Sequence, residues 1–336
     1  MFKELSWGRE LQDIWIRLFN GNKYLYPYSS YEYAQICRKC FRWQTHRWLD
    51  KTRIFYYKNE ETGAEIIAPL TWHKENIYIY GDWETARLLD FVYSENVANE
   101  DFEQLFCGLC DVVKIKKLNL NRLHDESLLR RYIEAQRTFK WKEENKRVCT
   151  TIDISNGYSS YWKGLTKNCR GNIRTAYNRL ERDGQKNEFV VGITLNDRKR
   201  MSKQMTALYC GRQNEKYGKN YTGIRLWKYW FTDPMTYAMR DFSNGLWFLL
   251  NINGEPAAIF GGFITNSNVL FYPRCGMNSK YRFYSPGRIV IDKMIQWICA
   301  NTDIKLLDFS NGDEPYKLTM GGKVTYVSHG YEVELV

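Results

Sequence analysis

One order of elements is written twice in this chain, and that repetition limits the folds open to it. In the first half, β-branched and aromatic runs beginning at Arg53, Glu65 and Ile77 read as a three-strand meander. A helical spacing over residues 102–113 and a strand at 117–121 follow. In the second half, runs beginning at Leu246, Ala257 and Val269 read as another meander, with Asn253-Gly254 as a hairpin signal. A helix over residues 287–300 comes next, with Ile291, Met294, Ile295 and Ile298 on one face, and then a strand at 305–309. The segment at Lys117 aligns with the segment at Lys305, and the offset between matching elements is nearly constant. We read an internal duplication of an α+β unit. The expected architecture is mixed α/β, two central sheets flanked by helices, with a first half at residues 1–154 and a second at 155–336. The length of 336 residues suits about two domains.

The remaining elements fit around this frame. Helices at residues 8–19 and 30–43 open the chain, and a short helix near 127–136 and a strand at 148–154 close the first half. A helical block with one strand at 189–193 fills residues 158–241, and strands at 324–327 and 331–335 end the sequence. Hydrophobic residues make up 44% of the chain, which excludes disorder and leaves ample material for two cores. The longest uncharged stretch, residues 256–273, is broken by Gly261-Gly262 and by polar residues, so it reads as a hairpin and not as a membrane span. The first residues carry charges where a signal peptide would need an apolar run. Nine cysteines in such a chain read as free thiols, and the expected location is cytoplasmic. Cys37/Cys40 and Cys107/Cys110 have C-x-x-C spacing, but both pairs fall inside helical patterns, so they are read as core or helix-face thiols with no metal.

A net charge of +11 asks for an anionic partner, and its distribution narrows the choice. In the first half the basic residues are diffuse, in short runs such as residues 114–117. A helix read over residues 163–182 puts Lys163, Lys167, Arg170 and Arg174 in one stripe opposite Leu165, Cys169, Ile173, Ala176 and Leu180. That stripe is either a solvated face or a phosphate-binding one. The turn Arg282 to Arg288 is sharper. Ser285 can cap the following helix, Pro286 is preset for its first turn, and Gly287 lets a ligand approach backbone N–H groups at the positive end of the helix dipole. The matching link in the first half, residues 93–101, has no glycine and carries three acids, so only the second copy suits an anion. After the next strand, Asp308, Asp313 or Glu314 offers a general base, Tyr316 a proton for a leaving thiolate, and Lys317 a charge for a phosphate or oxyanion.

These residues carry a family resemblance. Ser285-Pro286-Gly287-Arg288, an amphipathic helix, and then Asp308-Phe309-x-x-Gly312-Asp313-Glu314-Pro315-Tyr316-Lys317 resemble the CelD/BcsL-like branch of the GNAT acyltransferases. The basic helix through Arg170, Arg174, Arg179 and Gly184, and the spacing Gly254-x-x-Ala257 with Gly261, are similar to that branch too. The resemblance implies a tandem GNAT fold, related in shape to FemAB-type peptidyltransferases, and an acyl-CoA co-substrate whose pyrophosphate lies on an R/Q-x-x-G-x-G/A loop. Here Arg282-x-x-Ser285-x-Gly287 matches with Ser for the first Gly, and Pro286 removes one N–H donor. The implied reaction passes an acyl group to an amine or hydroxyl, on a sugar or an envelope or exopolysaccharide precursor. Arg282, Ser285, Gly287 and Arg288 would hold the donor, Arg170 and Arg174 a phosphate, and Asp308, Glu314, Tyr316 and Lys317 would supply the catalytic groups. An aminoacyl-tRNA donor, as in FemAB-like transferases, and a non-catalytic module for an anionic polymer are the alternatives.

Overall fold

The computed structural model describes residues 1–41, 51–73, 76–82, 86–113 and 117–335. The chain divides into two compact units, one built from Met1–Val148 with Tyr326–Val336 and the other from Cys149–Thr325. The first runs β1 (Phe2–Leu5), α1 (Arg9–Asn20), α2 (Tyr31–Phe41), β2 (Lys51–Lys58), β3 (Glu65–His73), β4 (Asn76–Ile79), β5 (Val92–Tyr93), α3 (Asn99–Val112), β6 (Lys117–His124) and α4 (Leu128–Ala135). Strand β7 (Lys140–Asp153) carries the chain into the second unit. There follow α5 (Gly157–Gly164), α6 (Lys167–Arg182), β8 (Asn187–Gly192), α7 (Leu195–Tyr217), α8 (Gly223–Thr232), α9 (Pro234–Asp241), β9 (Gly245–Ile252), β10 (Glu255–Ile264), β11 (Val269–Met277), α10 (Pro286–Asn301), β12 (Leu306–Asn311), α11 (Pro315–Thr319) and β13 (Lys323–Glu334). The end of the second expected helix, beyond residue 41, and the basic residues 114–116 lie outside the described residues.

Both units show the duplicated order. In the first, β2, β3 and β4 form an antiparallel meander, and after α3 strand β6 pairs in parallel with β4. In the second, β9, β10 and β11 do the same, and after α10 strand β12 pairs in parallel with β11. Asn253 and Gly254 close the β9–β10 hairpin at positive φ, 52° and 79°, the backbone that a two-residue turn between twisted strands requires.

The boundary differs from the expected one because the sixth strand of each sheet comes from the other half of the sequence. β13 lies antiparallel to β6, from Leu123↔His329 to Lys117↔Glu334, so Tyr326–Val336 belongs to the first unit and not to the second. The end of β7 lies antiparallel to β12, pairing Asp153↔Leu306 and Thr151↔Asp308, so Cys149–Asp153 belongs to the second. The helix expected over residues 163–182 is also two helices. Leu165 is extended, and Thr166 caps α6 by accepting from Cys169 N at 3.1 Å. Lys163 therefore ends α5 and leaves the stripe, while Cys169, Ile173, Ala176 and Leu180 do form the buried face of α6. They pack with Ile291, Ile295 and Ile298 of α10 over the sheet.

Candidate functional site

The site is set by a fault in the sheet of the second unit. β11 and β12 pair only from Val269↔Leu306 to Phe271↔Asp308, and beyond this no ladder joins them among the described residues. β11 also slips register against β10 between Phe271 and Arg274. Pro273 sits in this slip, where it has no N–H to give to a ladder. Gly262 faces it closely, and a Cβ there would stand 2.4 Å from the Phe271 carbonyl oxygen. The slip changes which side chains share a face. Tyr272 enters the core, with its hydroxyl 2.7 Å from Met294 Sδ, while Cys275 and Met277 line a cleft of about 530 Å³. Arg274 is buried elsewhere, ion-paired to Asp233 at 2.6 Å and 4.2 Å from the Tyr209 ring. The Tyr209 contact ties α7 to β11, and α7 brings Arg212 to the cleft.

The first turn of α10 closes part of the same cleft. Ser285 precedes it in the left-handed region, φ 50° and ψ 51°, a backbone that only Gly adopts freely. This is the position where the GNAT loop pattern has glycine. Ser285 makes no side-chain cap; its Oγ instead lies 3.5 Å from Arg288 Nη1. Gly287 serves packing, because a Cβ there would stand 2.6 Å from Met277 Sδ. Its N–H, at the second helical position, has no carbonyl four residues back within the helix and is open to an anion. Arg212, Arg282 and Arg288 all line the cleft, and none has an ion-pair partner among the described residues.

Tyr316, from α11, reaches the same cleft beside Cys275. Burial, with the thiol and the Glu314 carboxylate nearby, pushes its phenol far above the usual range, so it keeps its proton at any physiological pH. Burial raises the Cys275 thiol as well. A protonated phenol beside three guanidiniums without ion-pair partners among the described residues, with Glu215 also in the lining, and a helix N-terminus suits a phosphate-bearing donor that leaves as an anion.

Comparison with known proteins agrees with this geometry. Residues 167–318 match the family described as acetyltransferase (GNAT) domain. A tandem GNAT protein from the clavulanic acid biosynthesis pathway superposes with a TM-score of 0.57 at 8% identity, covering 100% of this chain and 98% of that one. The fold is that of a tandem GNAT protein. FemX superposes with a TM-score of 0.61 at 10% identity over 98% of this chain and 96% of its own. The C-terminal domain of a putative lysylphosphatidylglycerol synthetase from Agrobacterium fabrum gives 0.54 at 11% identity, over 90% and 91%. No curated protein matches the sequence significantly.

The second unit does not gather every residue that the sequence singles out. Arg282, Ser285, Gly287, Arg288 and Tyr316 meet at the cleft; Asp308, Glu314, Lys317, Arg170 and Arg174 do not line it. Asp308 is fully buried and accepts from Ser310 N at 2.7 Å, closing a bulge where Ser310 adopts φ 61°. Lys317, expected to meet a phosphate, is 2% exposed. Its ammonium donates to the carbonyls of Asn311 at 2.6 Å and Gly312 at 3.1 Å and pairs with Glu314 at 2.8 Å. Burial alone would raise the Glu314 carboxyl, but the Lys317 ammonium and the backbone hold it below its ordinary value. Arg170 caps α5, donating to the carbonyls of Lys163 at 3.0 Å and of Leu165, and Arg174 lies over the Trp162 ring at 5.8 Å. Arg212 and Cys275 carry no sequence signal: α7 is charged all round, and Cys275 reads as core.

Among the described residues of the first unit, the matching helix start offers no counterpart of this cleft. The matching helix start, at α3, is neutralised by its own acid: Asp101 accepts from Ala98 N at 2.9 Å and from Asn59 at 2.8 Å. The two C-x-x-C pairs lie on α2 and α3, and among the described residues no group of three metal-ligating side chains forms. Among the same residues, no helix is long and apolar enough to cross a membrane.

Proposed function

We propose that this chain transfers an acyl group from a CoA thioester to an amine or hydroxyl acceptor, with the donor in the cleft of the second unit. Three unpaired arginines, the first turn of α10 and a phenol kept protonated in one cleft carry this reading. Arg282, Arg288 and Arg212 meet the donor phosphates, and the Gly287 N–H adds a directed contact. The acceptor nitrogen or oxygen attacks the thioester carbonyl and the C–S bond breaks. Tyr316 gives its proton to the departing thiolate. The acceptor's proton passes through water to Glu314, an ionised and half-exposed carboxylate that stands outside the cleft lining, while Asp308 and Lys317 hold its loop in shape. The likeness of the 285–317 segment to the CelD/BcsL-like branch supports a sugar or an envelope-polysaccharide precursor as acceptor, and a cytoplasmic location, where acyl-CoA is made, belongs to the same reading.

Calorimetric titration of the full chain with acetyl-CoA tests it. Wild-type protein binds, and Arg282→Ala with Arg288→Ala weakens binding by about tenfold or more. Absence of binding at millimolar concentration removes CoA as donor. An aminoacyl-tRNA donor is favoured by one feature: Pro286 lacks the N–H that a pyrophosphate would use at that position. Binding of tRNA that falls steeply with salt and competes at Arg282 supports that alternative. A non-catalytic polymer-binding module accounts less well for a cleft built in one copy only.

A further inference from the structure

Between residues 195 and 232 there are nine Lys and Arg against two acids, so this stretch contributes +7 of the chain's +11. It forms α7 and α8, and α8 is unusual in having no buried residue. Tyr229 turns inward, its hydroxyl accepting from Arg274 at 3.2 Å. On the opposite side Ile224, Trp227 and Phe231 recur at helical spacing, with Ile224 80% exposed, Trp227 59% exposed, and the Trp227 and Phe231 rings 4.5 Å apart. Arg225 and Lys228 flank the stripe and are exposed. Beside it Lys199, Arg200, Lys203, Trp230 and Arg240 line a second, basic cavity of about 500 Å³. Lys203 lies over the Trp230 ring at 5.4 Å, and neither Lys199 nor Lys203 has an acidic partner among the described residues.

We propose that α8 and the basic cavity beside it dock this chain on an anionic lipid surface, with Ile224, Trp227 and Phe231 entering the headgroup boundary and Lys199 and Lys203 meeting lipid phosphates. An interfacial helix needs this combination: aromatic and aliphatic side chains on one stripe and cations beside it. A nucleic acid would use the cations and rings, but it gives no partner to an aliphatic side chain as exposed as Ile224. A second copy of the chain would bring +7 against +7. The proposal concerns α7 and α8 and does not depend on which donor the cleft holds.

Co-sedimentation of the full chain with vesicles tests it, comparing phosphatidylcholine alone with phosphatidylcholine containing about a third phosphatidylglycerol. The chain is expected to pellet with the anionic vesicles only, and less as salt is raised. Lys199→Ala with Lys203→Ala is expected to weaken association roughly 30-fold, and Ile224→Ser with Trp227→Ser by at least about tenfold. Both pairs are exposed, so thermal melting stays at the wild-type value. No association at low salt, equal association with neutral vesicles, or indifference to both variant pairs overturns the proposal. So does tRNA binding that needs Lys199 and Lys203 but not Ile224 and Trp227. A dimer in solution that Trp227→Ser dissociates overturns it in favour of a second copy.

Discussion

Replacing Lys317 by methionine removes an ammonium and keeps an unbranched stem of similar length in the same buried channel. In the native chain that ammonium bonds to the Asn311 and Gly312 carbonyls at 2.6 and 3.1 Å and reaches Ser310 O at 3.5 Å. Its ion-pair partner Glu314 is 55% exposed and returns to water at little cost. The Asn311 carbonyl loses its ammonium donor, while Gly312 O keeps a bond from Thr150 Oγ1 at 2.7 Å; a buried acceptor left unmade costs about 1–3 kcal/mol. Part of this is offset because an ammonium no longer has to be desolvated. A net loss of about 3–5 kcal/mol follows, the range for breaking a buried charged contact by removing one partner. For a unit the size of Cys149–Thr325, roughly 2–4 °C is lost per kcal/mol, so the melting temperature should fall by about 6–20 °C. Scanning calorimetry on the full chain reads the shift, and acetyl-CoA titration at low temperature reads the cleft. A shift below about 1 °C together with loss of turnover would refute this reasoning. Lys317 would then act in the chemistry, as its place in the sequence suggests, and not as the clamp of its loop.

Tyr316→Phe is expected to leave acetyl-CoA binding intact and lower kcat by about 100-fold or more, since it removes only the proton donor; equal loss of binding in the titration would assign the phenol to positioning. Ser285→Gly relieves a left-handed backbone and is expected to stabilise the chain by about 0.5–1 kcal/mol, net of the added freedom of the unfolded glycine. Thermal melting checks this, and a loss of stability would show that the Ser285–Arg288 contact outweighs the strain. Asp90 is buried with no cation paired to it among the described residues, and burial raises its carboxyl to about 6 despite hydrogen bonds from Tyr93 and the Phe91 N–H. The folded chain therefore holds this proton more tightly than the unfolded one. The stability due to Asp90 is complete below the unfolded value near 3.8 and is lost as pH rises through about 6, by about 3 kcal/mol in all. Urea titrations from pH 4 to 7 should show that decline, and Asp90→Asn should flatten it.

The parts of this fold that are legible in the sequence are those set by local chemistry. Period-two apolar runs give both meanders, Asn253-Gly254 gives its hairpin, and Pro286 marks the start of α10. The Arg282–Arg288 turn is legible for the same reason: a helix start, a small residue and two arginines are all local. The break at Leu165–Thr166 is hidden, because an apolar residue followed by a Thr continues the helical spacing as readily as it ends it. Lys317 reads as a surface amine because the carbonyls that bury it come together only when residues 310–314 turn back on themselves. Arg212 enters the cleft only through the packing of α7 on β11, which no spacing along the chain encodes. The origin of the sixth strands is the least legible, since nothing near β6 says that its neighbour lies at the far end of the sequence.

That origin sets a timetable for folding. Lys117 of β6 meets Glu332 of β13 across 215 residues, so on the ribosome the first sheet waits for those residues to be made with one edge bare. At about 5–20 residues per second the wait is roughly 10–40 s, long enough for an exposed strand edge to find a wrong partner. Cutting the gene between residues 154 and 155 would not release two modules. It would leave β12 without β7 in one fragment and β6 without β13 in the other, and each fragment would carry, as a loose end, the strand that the other lacks. Mixed together, the fragments hold complementary edges, and recovery of acetyl-CoA binding only on mixing would be the signature of that dependence.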